Sequence, residues 1–235
     1  MGVDEPRSPA QELDGSAVAV TRLGQRSELT RLRDTDADGR ADEYLTHAKG
    51  WGVTGNYHEY AYGPAVDKAG NMWVALNCSI GKGSNPNNQW RGWSLRVKPD
   101  GSWSPMSGGF RSPSGIGTNL AGEVFATDQQ GNWYATCPLM HVKRGAFHGH
   151  ADALQFTKLP AATFQVKQPL PKNLTVAEAA KRIPAYQLPT VWFPYRKMGM
   201  STTTTMTRPA GTHNSDNNNA DDDNNTSHNH ILNNS

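Results

Sequence analysis

The stretch "AVDKAGNMWVALN", residues 65–77, places Gly70 in a short polar turn between two largely apolar runs. Glycine adopts the positive φ angles that tight hairpin turns need, and the flanking runs give two strands a face to bury. The same arrangement, with glycine in the turn, recurs in "RVKPDGSWSPM" (96–106) and "GTNLAGEVFATDQ" (117–129). The uneven spacing of the three turns indicates a shared architecture of β-hairpins rather than a strict repeat.

Two further β-like runs precede these hairpins, "SAVAVTRL" (16–23) and "SELTRLR" (27–33). The chain has 23 Gly, 15 Pro and 7 Trp among its 235 residues, a composition typical of many short strands joined by tight turns. We therefore expect an all-β fold between about residues 16 and 202.

One segment favours a helix. In "LTVAEAAKRIP", Thr175 and Glu178 match a capping box, alanines follow, and Pro184 ends the segment. We expect a short helix at about residues 176–182, inserted between strands.

Composition also sets the domain limits. Residues 1–15 are predicted to be a loose lead-in, and residues 16–202 a single β domain. Residues 203–235 are rich in Asn, Asp and Thr and bury almost nothing, which predicts a disordered tail.

Charge and hydropathy exclude several partners. Lys and Arg number 23 against 21 Asp and Glu, and no basic block stands out, so neither nucleic acid nor an anionic membrane is an expected partner. No stretch approaches 18 apolar residues, so no membrane span is expected. No signal peptide is visible at the start, and the residues alone leave the localisation unknown. Cys78 and Cys137 lack metal-site spacing; two buried thiols are favoured over a disulfide.

The acidic loop "DTDADGRADEY", residues 34–44, carries oxygen atoms at the positions that a twelve-residue calcium loop uses. The candidate ligands are Asp34, Asp36, Asp38, the carbonyl of Arg40, and Asp42. Position twelve is Leu45 instead of a carboxylate, which argues against a calcium sensor. A structural calcium turn between two strands and a solvated acidic bend both stay open.

His58 is the candidate general base. It stands just before a predicted strand, among Asn56, Tyr57 and Glu59. The pKa of histidine lies near working pH, so it can take a proton from a substrate. A histidine bonded to nearby backbone is the alternative.

Three segments together resemble one family: "GNYHEYAYGPAVDKAGNMWVAL" (55–76), "GGFRSPSGIGTNLAGEVFATDQQGNW" (108–133) and "HVKRGAFHGH" (141–150). They are similar, in this order, to the quinoprotein glucose/sorbosone dehydrogenases, and the resemblance covers about residues 16–202. It implies a six-bladed β-propeller whose best-known members use pyrroloquinoline quinone and calcium. It also implies a periplasmic or secreted protein.

The resemblance assigns roles to individual residues. His58 would take the proton from the hydroxyl of the sugar, and Arg111 in "RSPSGIG" would contact the quinone. Ser112 stands where the quinone-contacting members have Asn. The turn "DQQGNW" corresponds to the one whose carbonyls hold calcium, which points to Gly131 and Asn132.

A propeller blade takes roughly 40 to 50 residues, so the predicted β domain supplies about four blades of a six-bladed type, a partial propeller. The first interpretation is a truncated quinone-dependent sugar or alcohol dehydrogenase, inactive as this chain, with a sugar or small alcohol as its substrate. Its open blade edges would permit self-association. The alternative is a non-catalytic propeller module that binds carbohydrate or protein and keeps a structural calcium.

Overall fold

The structure is a computed structural model that describes residues 20–81, 86–166, 170–171 and 173–194. The predicted lead-in, the start of the first β-like run and the predicted disordered tail lie outside the described residues.

The described residues form three antiparallel sheets in which neighbouring strands follow one another along the chain. The first sheet has three strands, β1 (Val20–Gly24), β2 (Glu28–Arg33) and β3 (Glu43–Lys49). The second has four, β4 (Ala61–Val66), β5 (Met72–Leu76), β6 (Trp93–Val97) and β7 (Trp103–Gly108). The third has β8 (Gly115–Thr118), β9 (Val124–Thr127), β10 (Pro138–His141) and β11 (Val191–Trp192).

All three predicted glycine hairpins form, as β4–β5, β6–β7 and β8–β9. The φ angles of Gly70, Gly101 and Gly122 are 78°, 82° and 85°, a region of backbone conformation that residues other than glycine rarely occupy. In the β4–β5 turn, Asp67 also accepts the backbone N–H of Asn71 at 2.9 Å and the indole N–H of Trp73 at 2.8 Å. Local turn chemistry therefore fixes these hairpins.

The second and third sheets are successive blades. Their first strands, β4 and β8, contact each other, and the hydroxyl of Thr118 on β8 donates to the carbonyl of Val66 on β4. β1 of the first sheet also contacts β4. Four-stranded meanders that meet along their first strands form a propeller arc. The predicted partial β-propeller is confirmed.

The described residues contain three sheets, one fewer than the roughly four blades predicted from length. The difference arises between β10 and β11, where the chain forms a 3-10 helix (Ala151–Lys158) and helix α1 (Val176–Arg182) in place of strands. Helix α1 has the predicted bounds, and Thr175 and Glu178 make the predicted capping box. The 3-10 helix has no counterpart in the sequence prediction.

The core lies between the sheets. One cluster of buried residues joins the first two sheets, including Leu29, Trp51, Val74 and Trp93. A second joins the second and third sheets and contains Phe110. Among the described residues, no helix has the length and apolar character needed to cross a membrane.

Candidate functional site

The residues predicted for catalysis and for the cofactor lie in loops at one end of the second and third sheets. His58 precedes β4 and Arg111 precedes β8, so both lie where the first strand of a blade begins. β5 and β9 run antiparallel to these strands, so the residues after them, which start at Asn77 and Asp128, reach the same end. Strand direction alone therefore brings four loops together.

The His58 loop is held by hydrogen bonds on both sides. The side-chain oxygen of Asn56 accepts the backbone N–H of His58 at 3.0 Å, and its NH2 group donates to the carbonyl of Ile80 at 2.9 Å. The rings of Tyr57 and His58 lie 3.9 Å apart between centroids. The His58 side chain is half-buried. It is thus positioned by its loop and still reachable from outside.

Residues 77 and 78 connect the two predicted site loops. The N–H of Asn77 donates to the carbonyl of Tyr60 at 3.0 Å, and the N–H of Cys78 donates to the carbonyl of Arg111 at 2.9 Å. The His58 loop and the Arg111 loop are therefore bound to two consecutive residues and lie side by side.

A buried polar group supports the His58 loop from behind. Glu59 is fully buried and accepts hydrogen bonds from Ser79 at 2.6 Å and from the N–H and hydroxyl of Thr54, each at 2.7 Å. Burial acts to raise the pKa of Glu59, but these hydrogen bonds and the charge of Arg91 prevail and lower it. Glu59 is therefore a buried carboxylate.

Arg91 is the buried cation of this group. Its guanidinium donates to the carbonyls of Gly52 at 2.6 Å and Tyr60 at 2.9 Å, and also to the carbonyl of Arg26. Burial lowers the pKa of Arg91 to about 10, against the charge of Glu59, which raises it. Arg91 therefore stays charged at neutral pH and ties three backbone segments together.

A second buried carboxylate, Asp128, organises the Arg111 loop. Its Oδ2 accepts the N–H of Arg111 at 2.7 Å and the hydroxyl of Tyr134 at 3.0 Å, and its Oδ1 accepts the N–H groups of Ser112 and Gln129, each at 2.7 Å. Burial raises the pKa of Asp128 to about 6, although all four bonds act to lower it. The loop after β9 thus fixes the loop before β8.

Arg111 is the residue predicted to contact the quinone through a cationic side chain. The side chain is half-buried, and its guanidinium donates to the side-chain oxygen of Gln129 at 3.4 Å, a long bond. Within the described part of the chain, a guanidinium with five N–H donors that makes this long bond can still donate to a ligand.

The other residues predicted for the cofactor have contacts within the protein. Ser112 is buried, and its N–H is bound to Asp128. The side-chain oxygen of Asn132 accepts the N–H of Ala151 at 2.9 Å, on the side of the 3-10 helix. Gly131 is packed so closely that a Cβ there would lie 2.5 Å from the ring of Tyr134. The N–H of Ser112 and the side-chain oxygen of Asn132 are thus engaged within the protein, while the guanidinium of Arg111 makes a long hydrogen bond to Gln129.

The acidic loop lies away from these loops. It joins the end of β2 to the start of β3, whereas the turn before β2 carries Arg26, whose guanidinium donates to the carbonyl of Tyr57 at 3.0 Å. The length of β2 therefore separates the acidic loop from the His58 loop, and a metal ion in it would not reach a ligand beside His58.

Three of the four predicted acidic ligands converge. Asp34, Asp36 and Asp42 each place one carboxylate oxygen within 4.8 Å of the others. Asp38 is not one of the three, and its carboxylate accepts the N–H of Arg40 at 2.8 Å. The structure groups three of the four carboxylates and leaves Asp38 outside the group, and the binding of a metal ion by these residues stays a prediction.

Sequence reasoning missed Asp128, Glu59 and Arg91. Asp128 and Glu59 stand inside quoted motifs, so a search for acidic residues directly beside predicted strands would have found them. Nothing in the sequence distinguishes Arg91 from the other arginines, because its partners are backbone carbonyls.

The comparisons with known proteins give one family and several distant structures. Residues 15–210 match the family described as "Domain of unknown function (DUF7133)". No curated protein matches the chain significantly.

Three of the similar solved structures are described as glucose dehydrogenases. One is 18% identical with a TM-score of 0.46, and the match covers 70% of this chain and 48% of that chain. Two others, one of them a putative oxidoreductase from Thermus thermophilus, are 16% identical with TM-scores of 0.45, covering 71% and 48%. The chain thus spans about half the length of the structures it matches.

Proposed function

The chain belongs to the family described as a domain of unknown function, DUF7133, and we propose that its partial propeller binds a sugar or small alcohol at the His58 end of its sheets. In this proposal the sugar binds as in a sugar dehydrogenase propeller, against the loops at one end of the blades. One observation carries it: His58 and Arg111 begin successive blades, and their loops are hydrogen-bonded to the consecutive residues Asn77 and Cys78.

The two side chains supply complementary chemistry for a polyol. A neutral imidazole accepts a hydrogen bond from a hydroxyl group and can take its proton, and a guanidinium donates to hydroxyl or carbonyl oxygens. Both are anchored through their backbones, by Asn56 for His58 and by Asp128 for Arg111. Because these anchors are in place before a ligand arrives, binding costs little ordering of the loops.

We propose binding without oxidation for this chain. Oxidation of a sugar requires an acceptor for its hydride, and the resembled family uses pyrroloquinoline quinone with calcium beside it. A bound quinone would supply that acceptor, and Arg111 would hold it, but the N–H of Ser112 and the side-chain oxygen of Asn132 already have partners. Reaction rates depend steeply on holding the reacting groups in place.

The alternative is a module that binds carbohydrate or another protein, with calcium as a structural ion only. The internal bonds of Ser112 and Asn132 agree with it as well, since it also needs no quinone. Titration with glucose separates the first proposal from a module specific for a protein, because such a module gives no saturable heat with a sugar.

The binding proposal is tested by isothermal titration calorimetry with glucose and with glycerol as a small alcohol. We expect saturable heat from the wild-type chain, and its loss in His58→Ala and in Arg111→Ala. His47→Ala and Arg144→Ala are the matched controls, because both residues lie outside the four loops at the His58 end. Equal heat in all four variants, or none in the wild type, would overturn the proposal.

A further inference from the structure

We propose that the loop between β2 and β3 is a calcium site whose side-chain ligands are Asp34, Asp36 and Asp42. This inference does not depend on sugar binding, because β2 separates the loop from His58. The ion would act as a structural clamp on the β2–β3 hairpin.

The arrangement of the three carboxylates is the first observation. Their oxygens lie within 4.8 Å of one another, close enough to contact one ion at the usual calcium–oxygen distances of roughly 2.3–2.6 Å. Three like charges at this spacing repel each other, and the nearby guanidinium of Arg33 is engaged with Glu43 at 2.9 Å. A bound divalent cation would remove the repulsion.

The second observation concerns Asp34 alone. Its side chain is only 7% exposed, and its Oδ1 is buried without a hydrogen-bond donor among the described residues. Its other oxygen, Oδ2, accepts the N–H of Gly39 at 2.9 Å. A buried carboxylate oxygen without a partner is costly, and a cation at the cluster would satisfy it.

The donor set selects the ion. All three side-chain donors are carboxylate oxygens, which suit hard cations and not zinc or copper. The cluster sits in an irregular loop with two exposed members, Asp36 and Asp42. Calcium tolerates such flexible, partly hydrated geometry, whereas magnesium demands a near-ideal octahedron.

The hairpin gains most from the ion. Asp34 directly follows β2 and Asp42 directly precedes β3, so an ion between them ties the two strands where the loop joins them. The carboxylate of Asp42 already accepts the N–H and the hydroxyl of Thr35, each at 2.7 Å. Within the described residues, β3 is an edge strand of its sheet. A bound ion would stabilise its pairing with β2.

The test uses the full chain freed of metal by a chelator and titrated with calcium chloride, by calorimetry and by thermal unfolding. We expect saturable binding with a Kd on the order of 10⁻⁴–10⁻³ M, the range of extracellular modules, and a rise of the unfolding temperature with calcium concentration. Magnesium chloride at the same concentrations should give neither effect. Equal effects of magnesium would contradict the assignment to calcium.

Asp34→Asn and Asp36→Asn should each weaken binding at least tenfold. Asp36 is exposed, so its variant keeps the fold even if the buried Asp34 variant does not. Asp100→Asn is the control, because it removes the same charge from an exposed turn between β6 and β7. The proposed site would be overturned if calcium gave no heat of binding with the wild-type protein. It would also be overturned if Asp100→Asn weakened calcium binding as much as Asp36→Asn.

Discussion

The buried carboxylate of Asp128 accepts the backbone N–H of Arg111 at 2.7 Å, although 17 residues separate them in the sequence. Through this bond, the loop that follows β9 sets the position of the loop that begins the third blade. Arg111 can therefore face a ligand only while Asp128 holds its backbone.

Replacing Asp128 with Asn should destabilise the fold and weaken sugar binding together. The hydroxyl of Tyr134 can turn to accept from an amide NH2 at the Oδ2 position, but the N–H of Arg111 cannot, so it loses its acceptor. A buried donor left without a partner costs about 1–3 kcal/mol. Urea unfolding should show a loss of about 2 kcal/mol for Asp128→Asn, the middle of that range. Tyr134→Phe removes one bond and leaves the Arg111 N–H paired, so it should keep sugar binding.

Stability should depend on pH through two buried groups with opposite signs. Burial raises the pKa of Asp128 to about 6 from 3.8. Its contribution to the free energy of unfolding is therefore fully present below pH 3.8 and is lost as pH rises through 6. Burial lowers the pKa of His148 to about 3 from 6.5, so its contribution is present above pH 6.5 and lost as pH falls toward 3. Between about pH 4 and 6 the two largely cancel in the wild type.

Two variants should separate these contributions in urea unfolding between about pH 4 and 6. Asp128→Asn retains the His148 contribution, so acidification should lower its free energy of unfolding more steeply than that of the wild type. His148→Gln retains the Asp128 contribution, so acidification should raise its free energy relative to the wild type. Each slope difference should reach at most about 1.4 kcal/mol per pH unit. If the free energy of unfolding changed with pH in the same way in the wild type and both variants, Asp128 and His148 would not be the groups responsible.

Arg91→Met should be among the most destabilising single changes in the chain. It leaves Glu59 charged in a buried site and removes donors from the carbonyls of Gly52 and Tyr60. Breaking a buried charge arrangement by removing one partner costs about 3–5 kcal/mol. The surface change Arg144→Met is the control and should cost less than about 0.5 kcal/mol by chemical unfolding. A cost for Arg91→Met as small as that of the control would show that Glu59 does not need the cation.

The edge of the first sheet should promote self-association. β3 is an edge strand within the described residues and exposes Tyr44 and Leu45, at 68% and 44% of their surface. Unpaired strand edges with exposed apolar side chains pair with other chains. Sedimentation velocity should show concentration-dependent association that Leu45→Lys reduces. Leu120→Lys, at an exposed leucine in the turn between β8 and β9, should leave it unchanged. Association that Leu45→Lys does not alter would place the contact elsewhere.

Local signals in the sequence were enough for much of the fold. The turns at Gly70, Gly101 and Gly122 depend on a positive φ, and helix α1 depends on its capping box, so each was predictable within a few residues. The interruption between β10 and β11 was not, because the 3-10 helix is held by distant packing. The indole of Trp93, for example, donates to the carbonyl of Ala153 at 2.9 Å.

The candidate site was predictable only in part, for the same physical reason. Motif order identified His58 and Arg111, and strand direction brings their loops to one end. Their supports, Glu59 and Asp128, depend on hydrogen bonds to residues up to 20 positions away, which no local pattern encodes. The convergence of three carboxylates without Asp38 likewise depends on the path of the backbone through the loop.

The most direct test of the central claim is nuclear magnetic resonance of the histidine ring nitrogens during titration with glucose. If the His58 end of the sheets is the sugar-binding face, the His58 signals should shift saturably while those of His47 stay fixed. The shift should vanish in Arg111→Ala. His58 signals that do not move at saturating glucose, or that move equally in Arg111→Ala, would contradict the assignment of this face.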